Sequence, residues 1–184
     1  MGQDQKSCPG LVSVFYGDGK GKTTAALGMA VRALGQGLRV HLIQFMKGGR
    51  LNHERIAGEL RALGALAGFT VEQFGGEEWI AGELTQSQVE SVRNAVEASQ
   101  KAISSGDYDL VVLDEILYAV SFGAISVRDV LSLLERKNHA TDVVLTGGWT
   151  EHPGLVNRAD LVTEMKKRKH PFDLGAAPRK GVEY

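Results

Sequence analysis

Cysteine is almost absent: Cys8 is the one thiol among 184 residues, so no intrachain disulfide can form and a reducing, cytoplasmic setting is expected. Long apolar runs are missing too. The longest, at 11–16, 110–113 and 142–145, are of strand length, far below the roughly 20 residues a membrane-spanning helix takes. The polar start, 1–9, has no signal-type apolar core, so no membrane partner is expected. Net charge is close to zero, with 21 Lys and Arg against 22 Asp and Glu, which leaves no global field to draw nucleic acid. The local run Lys166, Lys167, Arg168, Lys169 reads as a solvated face, and no groove-reading motif accompanies it. The five histidines lack metal-ligand spacing such as H-x-x-x-H. There is no internal repeat, low-complexity tract or long linker.

What is present is an alternation. Short β-branched runs at 11–16, 38–45, 69–74, 109–114, 142–146 and 160–165 are separated by segments of helical periodicity at 22–34, 53–66, 87–104 and 127–136. That order builds βαβ units and a mainly parallel sheet. The runs are apolar with little alternation, as expected of strands covered by helices on both faces. Thr85 to Gln88 has the T-x-x-Q form of a capping box, and Ser126 to Asp129 opens a second helix. A surface loop is expected at 75–82 and an irregular tail from 170 to 184.

Between the first strand and the first helix stand Gly17, Asp18, Gly19, Lys20, Gly21, Lys22, Thr23 and Thr24. A glycine-rich turn at a helix amino terminus turns successive N–H groups inward and adds the helix dipole. Lys22 can then reach phosphate oxygens and the Thr23 hydroxyl can ligate a cation. The glycines are expected to allow close approach of backbone to ligand. The usual G-x-x-x-x-G-K-[ST] pattern would place glycine where this chain has Tyr16. At the end of a later buried run, Asp114 and Glu115 are candidate metal residues, with side chains expected to diverge as successive strand residues do. The fold expected is a three-layer P-loop NTPase-like (RecA-like) α/β fold. A flexible segment, 1–10, precedes a single domain, 11–184.

The run 19–28, then Gln44-Phe45-Met46-Lys47-Gly48, closely resembles the cob(I)alamin adenosyltransferases of the CobA, CobO and BtuR type. So do 111–115, 144–147, 159–165, 169–173 and 180–184. The resemblance implies ATP and a reduced, four-coordinate cobalt(I) corrinoid as substrates, Mg²⁺ or Mn²⁺ as cofactor, a homodimer, and an electron donor such as a flavoprotein. It also implies that cobalt attacks C5′ of the ribose, so the whole triphosphate departs. Carried over by position, Lys22, Lys20 and the loop amides hold the triphosphate, Thr23 and Glu115 ligate the metal, and Asp114 supports them. For the aromatic residues that exclude the lower axial ligand of cobalt in that family, the candidates here are Phe74 and Trp79, each of which reads equally as core or loop packing.

Three departures stand out. Asp18 replaces an asparagine and sets a carboxylate beside polyphosphate, which should weaken binding unless Lys20 or the metal offsets it. Tyr16 replaces a small hydroxyl residue, and Gly148-Trp149 replaces an arginine after Gly147. Two other readings of the same residues stay open: a hydrolytic ATPase or small-molecule kinase, with Glu115 polarising water or a hydroxyl, and a corrinoid carrier without turnover.

Overall fold

The computed structural model describes residues 8–47, 57–76, 83–177 and 179–182. Its elements follow one another as β1 (Val12–Tyr16), α1 (Lys22–Gly35), β2 (Val40–Gln44), α2 (Gly58–Gly64), β3 (Phe69–Gln73) and α3 (Gln86–Ser105). Then come β4 (Leu110–Asp114), α4 (Ile116–Ser121), α5 (Val127–Glu135), β5 (Asp142–Thr146), α6 (Pro153–Arg158), β6 (Leu161–Glu164) and a 3₁₀ turn, Pro171–Leu174. The six strands form one sheet in the order β3-β2-β4-β5-β1-β6, and every pairing is parallel.

Because side chains alternate along a strand, the sheet has two apolar faces. Leu42, Val112 and Val144 pack with Ala26, Ala30 and Leu34 of α1 and with Leu60 and Leu63 of α2. Ile43, Phe45, Val111, Leu113 and Leu145 pack with Ile103 of α3, Leu117 of α4, Leu134 of α5 and Leu155 of α6. The result is three layers, as the alternation in the sequence implies. Leu42, Ile43, Phe45, Leu113 and Leu145 are wholly buried, and each such side chain contributes about 1.5–3 kcal/mol. The carboxyl ends of the central strands are therefore fixed, and the site is built there.

Burial of both strand faces holds for β1, β2 and β4, and almost throughout β5. It does not hold for β3, whose residues alternate, nor for β6, exposed along its length. These two are the edges of the sheet, a position that local apolarity does not reveal. The expected helix at 53–66 is seen as α2, Gly58–Gly64, while 53–56 lie outside the described residues. α4 and α6, six residues each, were not anticipated because so short a helix carries no periodic stripe. Both helix starts carry capping boxes: the Thr85 hydroxyl accepts from the Gln88 N–H at 3.3 Å, and Ser126 does the same with Asp129 at 3.2 Å. The tail is less irregular than expected, since His170 Nδ1 accepts from the Phe172 N–H at 3.1 Å and caps the 3₁₀ turn. Within the basic run, Lys166 pairs with Glu164 at 3.1 Å and Lys167 with Asp173 at 3.0 Å, so these charges are partly neutralised by neighbours. Among the described residues, no helix is long and apolar enough to cross a membrane.

Candidate active site

The glycine turn leaves β1 and is stitched to two neighbouring strand ends. The Gly17 N–H donates to the Gly148 carbonyl at 3.1 Å, and the Gly19 N–H to the Met165 carbonyl at 2.6 Å. A Cβ on Gly17 would stand 2.4 Å from the Met165 oxygen, and one on Gly19 2.7 Å from it. Glycine is thus demanded at both positions by the backbone leaving β6, a reason that the sequence expectation of close ligand approach did not include. Gly21 caps α1 without a side-chain acceptor, so first-turn N–H groups are left for an anion. The Lys22 ammonium donates to the Gly17 carbonyl at 2.6 Å and the Gly19 carbonyl at 2.9 Å, spanning the mouth of the turn. It also lies 5.7 Å from the Tyr118 ring centroid. Burial lowers the pKa of Lys22, opposed by Glu115 and Asp18. The Tyr118 phenol is pushed up to about 12, chiefly by burial and then by Glu115.

Beside the turn runs a polar row on the α1 face of the sheet. Gln73 pairs in register with Gln44, and Gln44 with Asp114. The Gln73 amide donates to the Gln44 side-chain oxygen, and the Gln44 amide to Asp114 Oδ2 at 2.9 Å. Asp114 is fully buried. Its Oδ1 accepts from the Thr23 hydroxyl at 2.8 Å and from the Thr146 hydroxyl at 2.7 Å. Its Oδ2 also accepts from the Lys47 ammonium, at 3.2 Å. Four donors on one carboxylate are what make complete burial tolerable. Having donated its proton to Asp114, Thr23 keeps its lone pairs for a cation.

Glu115 follows with φ 68° and ψ 8°, a left-handed turn that ends the strand alternation and opens α4. Its N–H donates to the Thr146 hydroxyl at 3.0 Å. The expected divergence of Asp114 and Glu115 is therefore only partial: Lys47 Nζ lies 3.2 Å from Asp114 Oδ2 and 3.3 Å from Glu115 Oε1. Burial pushes the Glu115 carboxyl up, with Lys47 opposing and Asp114 adding to the shift. For Lys47, burial works against the ammonium, but Asp114 and Glu115 outweigh it and raise its pKa. A hydroxyl and a carboxylate side by side, backed by a second carboxylate, are hard oxygen donors of the kind that suit Mg²⁺ or Mn²⁺ when phosphates and water complete the shell.

These groups form the polar end of a cleft of about 710 Å³. Lys20, Lys22, Thr23, Thr24, Lys47, Glu115 and Tyr118 line that end, and Leu27, Val31, Ala62, Leu63, Leu66 and Val182 line an apolar arm between α1, α2 and the tail. Lys20 reaches across to the Val182 carbonyl at 3.4 Å, so the tail lies over the cleft.

The departures have local reasons. Asp18 Oδ1 accepts from the Lys167 N–H at 3.0 Å, a bond that holds its carboxyl below the ordinary value. The bond ties Asp18 to a partner 149 residues away but favours its charged form, so the expected charge conflict with phosphate stands. The Tyr16 hydroxyl donates to Glu151 at 3.3 Å, and its ring packs in the core on the α3 side. Gly148 has φ 69°, and a Cβ there would lie 3.2 Å from Leu117 Cβ. Trp149 is half-exposed and packs edge-on against Tyr118 and Phe122, at centroid distances of 4.7 and 5.4 Å. Phe74, a candidate corrinoid contact, lies against the α3-side core and lines a separate groove with His41, Glu72 and Tyr108. Trp79, the other candidate, lies outside the described residues. Sequence reasoning gave no role to Gln44, Lys47 or Thr146, although the first two sat in plain view in the Gln44-to-Gly48 run.

The family described as ATP:corrinoid adenosyltransferase BtuR/CobO/CobP matches residues 9–184. The corrinoid adenosyltransferase of Escherichia coli (strain K12) is 32% identical over 185 residues, covering 99% of this chain and 88% of that protein. Corrinoid adenosyltransferase CobA of Salmonella typhimurium is 34% identical over 178 residues, covering 95% of this chain and 86% of its own length. A corrinoid adenosyltransferase of Sinorhizobium sp is 37% identical over 179 residues, covering 95% and 80%.

Proposed function

The chain belongs to the BtuR/CobO/CobP family of ATP:corrinoid adenosyltransferases, and from that membership we propose that it moves the 5′-deoxyadenosyl group of ATP onto the cobalt(I) of cobalamin or a precursor corrinoid and releases triphosphate. The observation that carries this reading is the union of a glycine turn at a helix amino terminus with the Thr23 and Glu115 oxygens in one cleft, Asp114 buried behind Thr23.

The chemistry asks little of a general base. Reduced cobalt is itself a nucleophile: a cobalt–carbon bond forms, the C5′–oxygen bond breaks, and its electron pair leaves on the triphosphate. What remains is alignment and neutralisation of charge developing on the leaving group. Lys22, Lys20 and the loop 17–24, Asp18 included, take the triphosphate, through its amides other than those of Gly17 and Gly19, which are already bonded to the Gly148 and Met165 carbonyls. Thr23 and Glu115 hold Mg²⁺ or Mn²⁺, which supplies Lewis acidity, while Asp114 holds Thr23 in place. The apolar arm along α1 and α2 offers a dry wall to the rest of the substrates. Phe74 and Trp79 remain proposed corrinoid contacts. Phe74 would require the corrinoid to reach the α3 side of the sheet.

The proposal includes residues 11–184 as one domain, a cytoplasmic homodimer, and an electron donor such as a flavoprotein that reduces the cobalt; of the 1–10 segment, 1–7 lie outside the described residues. The test mixes purified protein, ATP, Mg²⁺ and chemically reduced corrinoid under anaerobic conditions. A light-sensitive adenosylated product with free triphosphate is expected. ADP and phosphate would indicate a hydrolase, and tight corrinoid binding without product a carrier.

A further inference from the structure

The cation that holds the two carboxylates together has no part in the scheme above. Lys47 lies just past β2, after Met46, whose φ of 60° turns the chain sharply. Its backbone N–H is pinned to the Phe74 carbonyl at 2.8 Å, while its side chain reaches into the cleft that Lys22 and Thr23 line. The ammonium sits 3.2 Å from Asp114 and 3.3 Å from Glu115, and its side chain is 29% exposed, so it is neither sealed in nor loose. Asp114 keeps three further donors without it, from Thr23, Thr146 and Gln44. Lys47 is therefore the dispensable member of the set around Asp114 and the main neutraliser of Glu115.

We propose that Lys47 is a resident counter-ion that a divalent cation displaces from Glu115, and that its ammonium then moves onto the triphosphate. This inference rests on the reading of the cleft as a metal–triphosphate site. Two cations cannot share Glu115 Oε1 at close range without strong mutual repulsion. A metal arriving with nucleotide therefore expels the ammonium, whose flexible four-carbon stem allows it to swing without moving the backbone. The acceptors that a bound nucleotide would bring into the same cleft are phosphate oxygens. The exchange keeps the carboxylates neutralised when substrate is absent and delivers an added positive charge to the leaving group when substrate is bound. Lys47 is then a triphosphate-binding residue alongside Lys22, with a second role as gatekeeper of the metal position.

The experiment uses the full chain without nucleotide. With Mn²⁺ alone as probe, Lys47→Met should bind roughly tenfold more tightly than wild type by electron paramagnetic resonance, because its competitor is gone. With Mg²⁺ at saturating concentration, so that the ammonium is already displaced, binding of inorganic tripolyphosphate by calorimetry should weaken roughly tenfold in Lys47→Met and stay within a few-fold of wild type in Lys47→Arg. A merely structural lysine would leave Mn²⁺ affinity unchanged or lower it, and either result overturns the proposal, as does undiminished tripolyphosphate binding. Should Lys47→Met fold poorly, wild-type protein with carbon-13 methylated lysines gives an independent readout. The Lys47 resonance, identified by its loss in Lys47→Arg, should move when Mg²⁺ and tripolyphosphate are added; a stationary resonance overturns the proposal. These readouts need no corrinoid, so failure of adenosyl transfer with the binding pattern intact would count against the proposed reaction and not against Lys47.

Discussion

Asp114→Asn is the substitution that weighs most on the architecture of the cleft. It preserves shape but replaces one acceptor oxygen with an amide donor, aimed either at the hydroxyls of Thr23 and Thr146 or at Gln44 and Lys47. Each buried donor stranded in this way costs about 1–3 kcal/mol. The Lys47 share is smaller, because its side chain is 29% exposed and water screens it. A hydroxyl that can rotate to another acceptor recovers part of the rest. A net loss of about 3 kcal/mol follows. For a domain of this size each kcal/mol moves Tm by about 2–4 °C, so a fall of about 6–12 °C is expected by scanning calorimetry. Glu115→Gln is the control: it touches the same ammonium, but burial already pushes this carboxyl toward its neutral form. A neutral isostere there should shift Tm by less than about 3 °C in either direction. If Asp114→Asn melted within about 2 °C of wild type, or if both variants lost the same amount, the idea that Asp114 organises the cleft while Glu115 faces substrate would be wrong.

Lys22→Ala and Thr23→Ala should each lower adenosyl transfer by at least about a hundredfold while the protein stays folded, since both side chains border the cleft and lie outside the core; near-normal turnover would remove them from the assigned roles. His41 stacks on Tyr108 at 4.6 Å and bonds Thr70 and Glu72, and burial lowers its pKa despite Glu72. The unfolded chain takes up that proton near 6.5 and the folded chain resists it. Stability should therefore decline as pH falls below 6.5, levelling off beneath the lowered folded-state pKa. Urea midpoints should show that slope in wild type and a weaker one in His41→Gln, whereas equal slopes would show that His41 does not contribute. Gly17→Ala places a methyl 2.4 Å from the Met165 oxygen at φ +115° and should cost about 3 kcal/mol or more. Gly28→Ala, with nothing within 4 Å, should instead gain about 0.5–1 kcal/mol of stability; equal effects at the two glycines would contradict the geometry.

Much of this molecule could be read from its residues because local and global preferences agree there. The four central strands are apolar on both sides, so their type and approximate limits follow from composition alone. The glycine turn between a buried strand and a helix could be placed for the same reason. What escaped depends on contacts between distant parts of the chain. The carbonyl that forbids a side chain at Gly17 belongs to Met165, and the partner of Asp18 is Lys167. No pattern near 17–19 announces either. The exposure of β3 and β6 follows from their place at the sheet edges, which strand order decides. Gln44, Lys47 and Thr146 are ordinary residues until register aligns them beside Asp114. A short run can preserve such residues without disclosing that they meet.

The most direct test of the central claim follows a heavy-oxygen label placed in ATP at the oxygen joining C5′ to the first phosphate. If the cleft presents C5′ to reduced cobalt and releases the intact tail, the label leaves entirely in triphosphate, as phosphorus NMR or mass spectrometry would show. Label found in a nucleoside diphosphate, with no triphosphate released, would place the cleavage between phosphorus atoms and contradict the account.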